Sequence, residues 1–193
     1  ANLAQQTEGW ILALRLVSLH LRHADDPEAL RHALAAGDID RFVRIVARHR
    51  HPILNADRWY VLANWLALVP EVVVQQHAEL LIACAWTLMH HFLFEALFPL
   101  LDQLDSMLVE DLAHDSIRGD ISLCRGYARF FMGEGVDSLK HITAALERIP
   151  VWCTEARAQS EVIFALSSQM VGREQQAGHT LGELLVHCDS PAA

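Results

Sequence analysis

Positive charge is what this 193-residue sequence has least of, with 15 lysines and arginines against 24 acids and a formal net charge of −9. The shortage is uneven. Residues 1–76 carry eight arginines and eight acids, whereas residues 77–193 carry seven basic and sixteen acidic residues. Duplex DNA binding needs clustered cations that displace counterions, so this chain alone is not expected to bind nucleic acid. An acidic surface of this kind serves solubility. Cysteine is sparse too. Cys84, Cys124, Cys153 and Cys188 lie far apart with no CxxC, which argues against a zinc site or disulfide framework and predicts reduced, buried thiols in a cytoplasmic protein. No stretch alternates at period two between hairpin turns, so no sheet is expected. No secretory signal is recognisable, and the apolar run Trp10–Leu21 is too short to span a bilayer. No membrane partner is expected.

The motifs of common catalytic centres are missing as well. The sequence contains no GxxxxGK[ST] loop, no GxSxG and no HExxH. Gly133-Glu134-Gly135 is too short for a dinucleotide loop and reads as a turn between helices. Twelve histidines suggest metal binding, and the tightest groups are His20/His23, His49/His51 and His90/His91. A zinc site wants three or four convergent ligands, which none of these pairs supplies. His90/His91 reads instead as a pair at a helix C-terminus. The expectation is a non-enzymatic chain with no catalytic residue, no metal ligand and no cofactor of its own.

What the sequence does have is apolar residues in helical register. Hydrophobic residues make up 52% and charged ones 20%, so burial is ample and disorder is not expected. Three passages, 77–108, 113–150 and 153–190, each read as two helices joined by a short turn. Met89-His90-His91, Met132-Gly133-Glu134 and Val171-Gly172-Arg173 align as the turns, which places Ala96, Ser138 and Ala177 at one position of the second helix. A repeat near 40 residues made of helix pairs predicts stacked hairpins. The fold class is therefore all-α, a superhelical array of tetratricopeptide-like hairpins. Residues 1–76 form helices leading into the array, and residues 77–193 form three hairpins of one continuous solenoid.

In order, a helix over Thr7–Arg22 is apolar almost all round, and Asp26-Pro27 opens a second one. Gly37 and Asp38 separate that helix from Ile39–Arg50, which His51-Pro52 should end. Asp57–Val69 should bury Trp59, Leu62, Leu66 and Val69. In the hairpins the predicted inward stripes are Phe94, Leu97, Phe98, Leu101, Leu104 and Leu108; Ile117, Ile121, Cys124, Ala128 and Phe131; and Val162, Leu166 and Met170. Gly119 and Gly126 should permit close helix approach. Pro99 should kink its helix or delay its start.

One polar constellation stands beside a buried stripe. Arg118, Ser122, Arg125 and Arg129 recur at spacings of four, three and four, so they share a helix face. Three guanidiniums could grip a carboxylate, a phosphate or an acidic peptide. The competing reading is local pairing with Asp115, Asp120 and Glu134.

Several strings carry a resemblance: TEGW before an apolar helix (Thr7–Leu21), EALRHALAAGDIDR (Glu28–Arg41), NWLALVPE (Asn64–Glu71), AELLIACAW (Ala78–Trp86) and GYARFFMGEGVDSLKHITAALERIP (Gly126–Pro150). In this order they resemble the large ATP-binding LuxR-family regulators, the STAND-class activators of the maltose-regulon type. The resemblance implies a helical-repeat sensor region, with nucleotide and DNA binding on other parts of a longer polypeptide. The family usually has a winged-helix domain between the first two strings, whereas here only a few residues separate them. Expected partners are a small-molecule inducer, a regulatory protein or another copy of the chain. The alternative is a free-standing repeat scaffold that binds one protein partner.

Overall fold

The computed structural model describes residues 27–108 and 115–189 and divides the chain into two compact units, 1–45 and 46–193. The predicted helix Thr7–Arg22 and the Asp26 cap lie outside the described residues. Ten helices and no strand occur among the described residues, so the all-α expectation holds.

In the first unit, α1 (Pro27–Ala35) buries Leu30 and Ala33, and the opening turns of α2 (Ile39–Asn55) bury Phe42 and Val43. Asp38 caps α2, its Oδ1 accepting from the Arg41 N–H at 2.9 Å.

In the second unit α2 runs on past His51-Pro52 to Asn55. This corrects the expected stop at Arg50. Proline removes one intrahelical donor, but Ile53 and Leu54 beyond it are buried, and that packing outweighs the missing bond. There follow α3 (Trp59–Leu66), the single turn α4 (Glu71–Val74), α5 (Ala78–His90), α6 (Phe94–Met107), α7 (Asp115–Phe131), α8 (Gly135–Arg148), α9 (Thr154–Met170) and α10 (Glu174–Asp189). Each of α5 to α9 packs against the next helix, and α3, α5, α7 and α9 also touch in series. Contacts thus run to neighbours one and two places along, as a stack of helix hairpins requires. No described helix is long and apolar enough to cross a membrane.

One turn recurs at five junctions. Gly37, Asp57, Phe92, Gly133 and Gly172 all have positive φ, and in each case a helix begins two residues later. At every one the left-handed residue's N–H donates to the carbonyl three residues back and the next N–H to the carbonyl five before it. At Gly133-Glu134 both bonds are 2.9 Å, and at Phe92-Leu93 both are 3.0 Å. This is the Schellman ending, which satisfies carbonyls the helix leaves bare.

The turns also correct the repeat register. The first hairpin turns at Phe92-Leu93, because α5 continues through His90. The residue equivalent to Ser138 and Ala177 is therefore Leu97, which is fully buried, whereas Ala96 is exposed. Five residues after each left-handed position sits a buried side chain: Phe42, Leu62, Leu97, Ser138 and Ala177.

Close approach is sharpest between α7 and α8. A Cβ on Gly126 would lie 2.5 Å from Ile142 Cγ1, and one on Gly119 would lie 2.9 Å from Ile149 Cγ1. Ser138 Oγ fills the same seam, donating to the Gly126 carbonyl at 2.8 Å and lying 2.7 Å from Ser167 Oγ on α9. On α9 the expected stripe is rotated: Val162 and Met170 are exposed, while Ala156, Ser160, Ile163 and Ser167 are buried. The buried Ser160 satisfies its hydroxyl within the fold by donating to the Ala156 carbonyl at 2.7 Å. Phe131 is likewise exposed rather than inward, and Trp59 and Leu66 are only half-buried.

Candidate functional site

Helical periodicity does bring Arg118, Ser122, Arg125 and Arg129 to one face of α7. Each guanidinium already has a partner. Arg118 donates to the Leu108 carbonyl. Arg125 Nη2 reaches Asp102 Oδ1 at 2.7 Å and Asp105 Oδ2 at 2.9 Å, both on α6. Arg129 pairs with Glu134 and lies 4.7 Å from the centre of the Phe98 ring. Of the acids weighed as local partners, only Glu134 serves this stripe. Asp115 faces Arg148 at 3.7 Å, and Asp120 is held elsewhere. The stripe ties α6 to α7, and Asp102 and Asp105 are exposed carboxylates occupying Arg125.

Asp120 belongs to a buried cluster between α2 and α7. Arg50 Nη2 forms an ion pair with Asp120 Oδ2 at 3.0 Å and donates to His51 Nε2 at 3.1 Å, a ring nitrogen itself 3.4 Å from the same carboxylate oxygen. Arg50 is 3% exposed, His51 4% and Asp120 0%. Burial, partly countered by Asp120, lowers the His51 pKa, which keeps the ring neutral with Nε2 free to accept from Arg50. Burial and the Asp120 charge push the Cys153 thiol up to about 12 and raise Cys124 well above its ordinary value. These two thiols are held protonated and buried, as expected, whereas Cys84 is only half-buried and the Cys188 side chain lies outside the described residues. The Trp152 ring stands edge-on to His51 at 5.4 Å. No group of three or more metal-ligating side chains occurs among the described residues.

His90 and His91 find indoles rather than a helix end alone. His90 stacks on Trp59 at 5.1 Å and 9° and on Trp86 at 5.9 Å and 26°. Burial lowers its pKa. His91 meets Trp59 edge-on at 5.0 Å. His49 stands edge-on to Trp65, and His20/His23 lie outside the described residues.

The feature that sequence reading missed is an exposed ring cluster at the hairpin turns. Phe92 is 53% exposed with φ 57°, a backbone region bulky residues rarely enter. Its ring lies 5.0 Å from Phe131, 5.8 Å from Phe94 and 6.1 Å from Tyr127, and Tyr127 and Phe131 are 4.8 Å apart. Leu93 and Met132 beside them are also exposed. A cavity of about 550 Å3 opens here, lined by Phe92, Leu93, Phe94, Phe98 and Met132. A second, of about 510 Å3, lies at the next turn between Phe130, Phe131, Leu166 and Met170. The strings FLF at 92–94 and YARFF at 127–131 carried the signal, but a helical stripe assigns such rings to the core.

The chain is similar to the HTH-type transcriptional regulator MalT of Yersinia enterocolitica, with 27% identity over 160 residues. The match covers 78% of this chain and 18% of the relative. MalT of Yersinia pestis and of Yersinia pseudotuberculosis match at 26% over 160 residues, with the same coverage. The chain thus spans under a fifth of the length of these relatives. No family model matches it, and no solved structure matches it.

Proposed function

We propose that this chain is the helical-repeat sensor segment of a MalT-like, STAND-class LuxR-family regulator, its hairpins tetratricopeptide-like and its setting cytoplasmic. It binds an inducer or a regulatory protein and biases a switch between resting and active forms, without catalysis or a cofactor of its own. Nucleotide hydrolysis and DNA binding belong to other parts of such a regulator. The similarity to MalT supports the regulator part of this reading.

The observation that carries the binding part is Phe92. An exposed phenylalanine holds a left-handed turn that glycine holds at Gly133 and Gly172. Strain kept at an exposed aromatic points to use of the ring rather than to packing. The cluster of Phe92, Phe94, Tyr127 and Phe131 is the surface we assign to the partner.

The stripe of Arg118, Ser122, Arg125 and Arg129 enters as an exchangeable clamp. A partner carboxylate would replace Asp102 and Asp105 on Arg125 without burying either displaced acid. Thermal unfolding with candidate inducers tests the reading. A ligand of the segment stabilises it saturably, and Phe92→Ala with Phe131→Ala removes that stabilisation. Undiminished stabilisation of the double variant would refute the surface assignment.

A further inference from the structure

A groove separate from the hairpin-turn rings lies where α8, α9 and the turn into α10 converge. Its volume is about 730 Å3, within the roughly 300–1,000 Å3 that small ligands occupy. Val136, Leu139 and Lys140 enter it at helical i, i+3, i+4 spacing on α8, joined by Phe164 from α9 and by Val171 and Arg173 from the turn. The apolar wall is not closed off, since Val136 is 72% exposed.

The groove is lined by two cations and no acid. Lys140 is the chain's only lysine, in a half of the sequence where acids outnumber bases. Arg50, Arg125, Arg129, Arg148 and Arg157 each face a carboxylate. Among the described residues Lys140 and Arg173 form no ion pair, and what sets them apart from the other cations without a carboxylate is that both line one apolar recess. An apolar recess bearing two unpaired cations complements a molecule with an apolar body and one anionic end.

We propose that this groove binds a small amphiphilic carboxylate, its apolar body against Val136, Leu139, Phe164 and Val171 and its carboxylate between Lys140 and Arg173. The site goes beyond the sensor reading and does not depend on it, because no residue of the Phe92 surface lines the groove.

The single lysine supplies the test. Reductive methylation with 13C-formaldehyde keeps the charge of Lys140 and gives the full chain one lysine side-chain resonance. Titration with 4-phenylbutyrate shifts that resonance saturably, and 4-phenyl-1-butanol, the uncharged counterpart, binds at least about tenfold more weakly. Arg173→Gln weakens the acid by about tenfold, whereas Arg173→Lys restores most of the affinity and Phe92→Ala leaves it unchanged. Far-UV circular dichroism confirms that each variant is folded. An absent or unsaturable shift, equal binding of acid and alcohol, unchanged binding by Arg173→Gln, or loss of binding in Phe92→Ala would each overturn the proposal.

Discussion

The side-chain amide of Asn55 donates to the carbonyl of Trp152 at 2.9 Å, joining two residues 97 apart in the chain. Its Oδ1 accepts from the Glu155 N–H at 3.1 Å, one of the donors that the start of α9 leaves unsatisfied. The last residue of α2 thereby caps α9. Asn55→Ala should destabilise the chain by about 1–2 kcal/mol in urea unfolding, the usual loss for a cap. Gln75→Ala, which removes an exposed bond within one turn, should stay within about 0.5 kcal/mol.

The buried pair of Arg50 and Asp120 predicts strong asymmetry between single and double substitution. Asp120→Ala strands a guanidinium that is 3% exposed and should cost about 3–5 kcal/mol. Arg50→Met with Asp120→Leu removes both charges and should recover most of that loss. A double variant no better than Asp120→Ala would show that the cluster stabilises by more than charge compensation.

Four histidines share one sign of pH dependence. Burial lowers the pKa of His49, His51, His90 and His141, so each takes up its proton more readily in the unfolded chain than in the folded one. Their combined effect is nil well above the unfolded value of about 6.5 and disfavours folding as the pH falls through it. Urea midpoints should therefore drop between about pH 7 and pH 5.5, and His90→Gln should flatten that slope. A slope unchanged by the substitution would remove His90 from the account.

At the left-handed turns glycine should outperform alanine everywhere. Gly133→Ala and Gly172→Ala should each cost about 1 kcal/mol, since φ near 80° strains any Cβ. At position 92 the same rule predicts that Phe92→Gly is more stable than Phe92→Ala by about 1 kcal/mol. Equal stability would mean that Phe92 carries no backbone strain.

Helix glycines should divide by what surrounds them. Gly126→Ala drives a methyl against Ile142 and should cost about 1–3 kcal/mol, partly relieved by Ile142→Val. Gly178→Ala on α10 meets nothing within 4 Å and should stabilise by about 0.5–1 kcal/mol.

These contrasts also show how far the sequence was legible. Helices, hairpin order and the close approach at Gly119 and Gly126 follow from periodicity and from glycine inside a helix, which are local signals. The first turn was misplaced because its left-handed residue is phenylalanine, so the usual mark was absent. Pro52 misled for the opposite reason: a local helix breaker was overruled by burial of Ile53 and Leu54. The arginine stripe was visible as a face, but its partners Asp102 and Asp105 sit on another helix. Asp120 with Arg50, and Asn55 with Trp152, join residues about 70 and 97 apart, and no local pattern encodes such pairs.

The proposal that these hairpins serve a MalT-like regulator is tested most directly by the sequence of the source gene on both sides of this stretch. The account predicts a phosphate-binding loop encoded upstream and a helix-turn-helix encoded downstream. Stop codons close to both ends would contradict it and leave a small helical-repeat adaptor.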